Sequence, residues 1–118
     1  MRLSEIDFGA SRPVDGYGKT FFRIGGQVCA APLLLVAGDV RPWGGYDDHA
    51  PLLELAGRVD VLFIGTGGTI AHIPAQLRET LEAAGLGVES MDSPAACRTY
   101  NVLLSEQRRV AVALLPVG

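Results

Sequence analysis

The stretch Val61-Leu62-Phe63-Ile64-Gly65-Thr66-Gly67-Gly68-Thr69 decides the fold. Four apolar residues run into a glycine-rich turn, which reads as a strand buried on both faces and leaving its sheet. Pro74 to Ala84 follows with a helical period. Leu77, Leu81 and Ala84 recur on one face, and Gln76, Arg78, Glu79 and Glu82 take the other. Gly85 supplies a left-handed cap, and Arg78 and Glu82 are spaced to pair. Leu86 to Met91 is again strand-like, so 61–91 reads as a βαβ unit with parallel strands.

Outward from that unit, Ser93 to Gln107 is a second helix, with Ser93 read as its N-cap and Pro94 in its first turn. Ala96, Cys97, Tyr100, Leu103 and Leu104 share its apolar face. Val110 to Leu115 is a final strand expected in the middle of the sheet. Towards the N-terminus, residues 1–41 read as an antiparallel meander. It comprises a strand at Ile6-Asp7-Phe8, turn punctuation at Gly16 and Gly18, and the hairpin Phe21-Phe22-Arg23-Ile24, Gly25-Gly26, Gln27-Val28-Cys29-Ala30. Leu33 to Val36 is a strand covered on both faces. Asp39 to His49 is read as a polar loop, and Pro51 to Gly57 as a short helix. The expectation is one α/β domain over residues 1–118, a mixed sheet flanked by helices with extra N-terminal β-structure.

Composition narrows the function. A net charge of −3 with 48% hydrophobic residues offers no basic stripe for phosphates, so nucleic acid is not expected as a partner. The doublet Arg108-Arg109 falls at a helix end, where it complements the carbonyl pole of the dipole. The apolar runs are strand-length, too short to insert in a membrane. Cys29 and Cys97 form no CxxC pair, which suits reduced thiols and a cytoplasmic location. Asp47, Asp48 and His49 are too few for a zinc site, so neither metal nor cofactor is expected.

The glycine turn ends a buried strand, where open α/β sheets place ligands. It lacks the GxGxxG spacing and the Lys-Ser/Thr of a P-loop. If parallel order brings the two strand ends together, Gly65, Thr66, Gly67, Asp92, Ser93, Cys97 and Asn101 converge on one crevice. In this reading Cys97, two turns or less from the helix start, would have a depressed pKa and redox activity. The bland reading of the same residues is a tight turn, a helix cap and a buried thiol. Thr66 to Ala71 also resembles the TGGTIA stretch of bacterial-type L-asparaginases, which would make Thr69 a nucleophile. No lysine follows Lys19 and no Thr-Asp pair occurs, so the activating partners of that site are missing. The residues therefore lean away from an enzyme.

Taken together, these stretches resemble the Mth938-domain family. The similarity is carried by Val61 to Gly67, the Pro74 helix, Val88 to Asp92 and the run Ala95 to Val110. Tyr17-Gly18, Phe22 to Gly26 and Pro42-Trp43 add to it. That family includes the mitochondrial assembly factor 3 of respiratory complex I. The resemblance implies a three-layer α/β fold, no established reaction, and protein partners, with homo-oligomers also possible. It also makes the aromatic loop at Trp43 and Tyr46 the expected partner surface, since aromatic anchors mark contacts. The run Gly68 to Ile73 is more apolar than the family usually has there, and no presequence is visible, so a cytoplasmic member fits better than a mitochondrial precursor.

Overall fold

The computed structural model describes residues 12–118. Eight strands and three helices follow in the order β1 (Val14–Tyr17), β2 (Phe21–Ile24), β3 (Gln27–Ala30), β4 (Leu33–Val36), β5 (Asp39–Pro42), α1 (Ala50–Leu53), β6 (Val61–Gly65), α2 (Ala75–Ala83), β7 (Gly87–Met91), α3 (Ser93–Ser105) and β8 (Val110–Leu114). The first three make a small antiparallel sheet. The other five form a mixed sheet in the order β5-β4-β8-β6-β7. β8 occupies the middle, and β6-α2-β7 is the expected parallel unit, in register from Val61 opposite Gly87 to Gly65 opposite Met91.

Alternation along the central strands builds a core on each side of the large sheet. Leu34, Leu62, Ile64, Ala111 and Ala113 pack with Leu52, Leu77, Leu81 and Trp43 on the face covered by α1 and α2. Leu33, Leu35, Phe63, Val112 and Leu114 pack on the other face against α3 and against Val14, Phe22 and Ile24 of the small sheet. The architecture is therefore three-layered and α/β, as the sequence indicates: helices, five-stranded sheet, then α3 beside the small sheet.

Several local expectations are corrected. Asp39 to Pro42 is a strand rather than the start of a loop. Among the described residues it pairs only with β4, and proline is tolerated on such an edge. Gly16 lies inside β1, where the register shifts, so it marks a bulge and not a turn. The meander is divided, because β4 leaves the small sheet and pairs with β8. The short helix ends at Leu53, and turns carry the chain to Gly57. Ala84 is exposed at the C-cap of α2, whereas Leu77 and Leu81 are buried as expected. The strand proposed at Ile6-Asp7-Phe8 lies outside the described residues.

Both long helices end in the same hydrogen-bond pattern. At α2, Gly85 donates to Glu82 and Leu86 to Leu81; at α3, Gln107 donates to Leu104 and Arg108 to Leu103. These are Schellman motifs, in which the first residue past the cap adopts a left-handed conformation. Glycine supplies it at position 85, but at position 107 a glutamine does, with φ of 61°. The second pattern has no glycine to announce it.

Candidate functional site

The carboxyl ends of β6, β7 and β8 lie side by side, with Gly65 opposite both Met91 and Leu114. Around this edge the structure assembles Gly65, Thr66, Gly67, Asp92 and Ser93, but their polar groups serve one another. Thr66 donates its amide to the Met91 carbonyl at 2.9 Å, and its Oγ1 lies 2.8 Å from the Thr69 carbonyl while accepting the Ala71 amide. Asp92, not Ser93, is the N-cap of α3: its Oδ1 accepts the Ala95 amide at 2.8 Å. Ser93 is fully buried in the first turn. Its amide donates to Gly67, its hydroxyl accepts the Gly67 amide, and the same hydroxyl donates to the Leu115 carbonyl at 2.9 Å.

Sterics agree. A Cβ on Gly65 would stand 2.7 Å from Ser93 Oγ, and one on Gly68 would stand 2.5 Å from the Val117 carbonyl oxygen. The serine hydroxyl and the returning segment 115–117 stand directly against Gly65 and Gly68, and beside them a cavity of about 270 Å³ is lined by Ile70, Ala71, His72 and Ser90. The amides of Thr66 and Gly67, which an anion would need, are already engaged.

Cys97 and Asn101 belong to other structures. Cys97 is 5% exposed within the core beneath α3, and burial pushes its thiol up to about 12, with Arg98 offsetting this only in part. Cys97 is thus the buried thiol that its place on the apolar face of α3 predicts, and the alternative of a depressed pKa finds no support, because desolvation dominates. Asn101 reaches the small sheet, where its Oδ1 accepts the Val14 amide at 2.9 Å and its Nδ2 donates to the Val14 carbonyl at 2.7 Å. Next to it, Tyr100 is buried and its hydroxyl accepts the Gly38 amide at 2.9 Å.

Trp43 is 3% exposed, packed in the core with its Nε1 donating to the Asp48 carbonyl, and the half-buried Tyr46 meets it edge-on at 6.4 Å. The expectation of an aromatic contact surface is corrected here as well. The loop folds its rings inward because the indole N–H finds a backbone acceptor five residues on.

At the opposite edge of the sheet, by the amino ends of β6 and β8, a cavity of about 290 Å³ is lined by Arg58, Arg108 and Arg109 together with Val36, Val59 and Val110. Only the doublet gave a signal, and a helix end accounted for it.

Comparison with known proteins places the chain. The model of the family described as "Protein of unknown function (DUF498/DUF598)" matches residues 14–115. The chain belongs to this family. An uncharacterized protein of Rhodobacter capsulatus is 51% identical over 117 residues, 99% of this chain and 94% of that one. The NADH dehydrogenase [ubiquinone] 1 alpha subcomplex assembly factor 3 of Danio rerio is 31% identical over 123 residues, 98% of this chain and 71% of that protein. Among solved structures, a Mth938-like domain protein of Bordetella pertussis aligns with a TM-score of 0.78 at 30% identity, covering 100% of this chain and 94% of that one. An outer membrane protein of Bartonella henselae aligns at 0.82 and 30% identity, covering 92% and 97%. The DUF498/DUF598 fold thus matches the Mth938-like resemblance. Among the described residues no helix is long and apolar enough to cross a membrane.

Proposed function

We propose that this chain is a non-enzymatic protein-binding module, a single domain acting in the cytoplasm during assembly of an NADH dehydrogenase. The observation that carries the reading is the alignment with the Danio rerio assembly factor, which runs along 98% of the chain instead of one motif. Two structural features support it. At the edge where α/β folds bind substrates, the polar groups of Thr66, Gly67 and Ser93 are engaged with one another and with Met91 and Leu115. Among the described residues, the most exposed large apolar side chains are Ile70 at 70%, in a loop, and Val28 at 61%, on the small sheet's edge strand.

The test is deletion of the gene in a host that builds an NADH dehydrogenase, followed by native gels with in-gel activity staining and by cell fractionation. The expected result is loss of the full complex, accumulation of a subassembly, and the protein in the cytoplasmic fraction. Normal assembly in the deletion strain would overturn the assembly role. Recovery with the outer membrane would overturn the location and align the chain with its Bartonella neighbour.

A further inference from the structure

We propose that the cavity at the amino ends of β6 and β8 binds an organic oxyanion, a carboxylate or phosphate group carried on an apolar body. The proposal is independent of a role in assembly. Three of the chain's ten basic residues, Arg58, Arg108 and Arg109, meet at this cavity although the chain as a whole is acidic. Guanidinium groups present planar, paired donors that match the oxygens of carboxylates and phosphates. Arg109 pairs with Asp60 at 2.7 Å at the exposed rim, which leaves Arg58 and Arg108 as the groups that would meet an anion. Arg58 and Arg108 form no salt bridge among the described residues. The remaining lining is largely aliphatic, from Val36, Val59, Leu104 and Val110, so an anion with an apolar tail fits better than a bare ion.

The backbone points to the same place. Ala37, with φ of 51°, and Gln107, with φ of 61°, are the non-glycine residues of left-handed conformation among the described residues, and both line this cavity. Each stands at a turn position that ordinarily takes glycine, one in the β4–β5 hairpin and one past α3. In each case a side chain is kept on the wall in spite of backbone strain, as happens where a site is shaped for binding. At this end of α3 the carbonyls of Leu103 and Leu104 accept amides from Arg108 and Gln107, so these two do not present free lone pairs to an anion.

The experiment is a titration of the isotope-labelled full chain, followed by amide NMR shifts at low salt, with hexanoate, hexyl phosphate, inorganic phosphate and hexanol as probes. Hexanoate and hexyl phosphate should move the amides of Ala37, Val59, Arg108 and Val110, and more salt should weaken the effect. Arg58→Gln combined with Arg108→Gln, both at exposed positions, should lower affinity about tenfold or more while the spectrum stays dispersed. Hexanol moving the same amides as strongly, shifts scattered over the surface, or unchanged binding by the double variant would overturn the site. An amide-capped Leu-Glu-Leu peptide separates the sources of the anion. Tighter binding than hexanoate assigns it to a polypeptide and weaker binding to a small molecule, and each supports the oxyanion site.

Discussion

Ser93 and Gly67 hold one another through two hydrogen bonds, amide to carbonyl at 2.7 Å and amide to hydroxyl at 3.0 Å. With the bond onward to Leu115, this ties the glycine turn, the start of α3 and the end of β8 into one knot. Ser93→Ala should therefore cost about 2–3 kcal/mol, because it leaves the Gly67 amide and the Leu115 carbonyl without their partner. Gly65→Ala should destabilise as well, since its methyl would stand 2.9 Å from the Ser93 Cα, a backbone atom that cannot swing aside. Urea unfolding measures both. A Ser93→Ala protein as stable as the parent would show that the knot does not hold the edge shut.

Much of this is legible in the sequence. Buried strands 61–64 and 110–115, and the helix from Pro74, carry strong local patterns, and parallel order follows from the helix between strands. What escaped was non-local. Nothing near Gly67 says that segment 115–117 returns to fill the space above it. Trp43 sits among polar residues and looks exposed until the Asp48 carbonyl is found for its N–H. Arg58 and Arg109 are far apart in the chain, and only the pairing of β6 with β8 brings their neighbours Val61 and Val110 into register. β5 gives little sign of itself, because four residues with an arginine and a proline make a weak strand signal.

Alkali should loosen the core beneath α3. The Cys97 thiol rises from 9.0 to about 12 and the Tyr100 phenol from 10.0 to about 12, each mainly through burial. Both folded values lie above the unfolded ones, so the stability gained by keeping these groups neutral is complete below about pH 9 and is lost as pH climbs toward 12. Denaturant midpoints measured across that window should fall, and less steeply in Cys97→Ala. In the folded protein near pH 8, a thiol reagent should label Cys29, which is half-buried, well before Cys97.

Trp43 should behave as a core residue. Its emission should be blue-shifted and poorly quenched by iodide in the folded state. Trp43→Ala should cost about 3–5 kcal/mol, the range for removing a large buried ring. An emission maximum like that of free tryptophan would restore the loop as a contact surface.

Asn101 clips β1 to α3 by bonding both the amide and the carbonyl of Val14. Asn101→Leu removes both bonds and strands both backbone groups, at a cost of about 2 kcal/mol. The effect should be local. Hydrogen exchange at Val14, Arg23 and Ile24 should accelerate, while amides of β6 and β8 keep their protection. Equal acceleration in both sheets would mean that the small sheet does not open on its own.

Gln107 offers the converse, a substitution that should stabilise. Its φ of 61° strains any residue with a Cβ, and the position closes a Schellman motif that glycine suits better. Gln107→Gly relieves that strain but raises the entropy of the unfolded chain, so the net gain should be about 0.5–1 kcal/mol. The same change at Gly85, in the opposite sense, provides the control: a Cβ there meets no atom within 4 Å, so the cost of Gly85→Gln is set by backbone conformation at φ of 91°. Thermal unfolding of the two variants should move in opposite directions. If Gln107→Gly is instead destabilised, its side chain supports the cavity wall even without a ligand, by more than the strain it imposes.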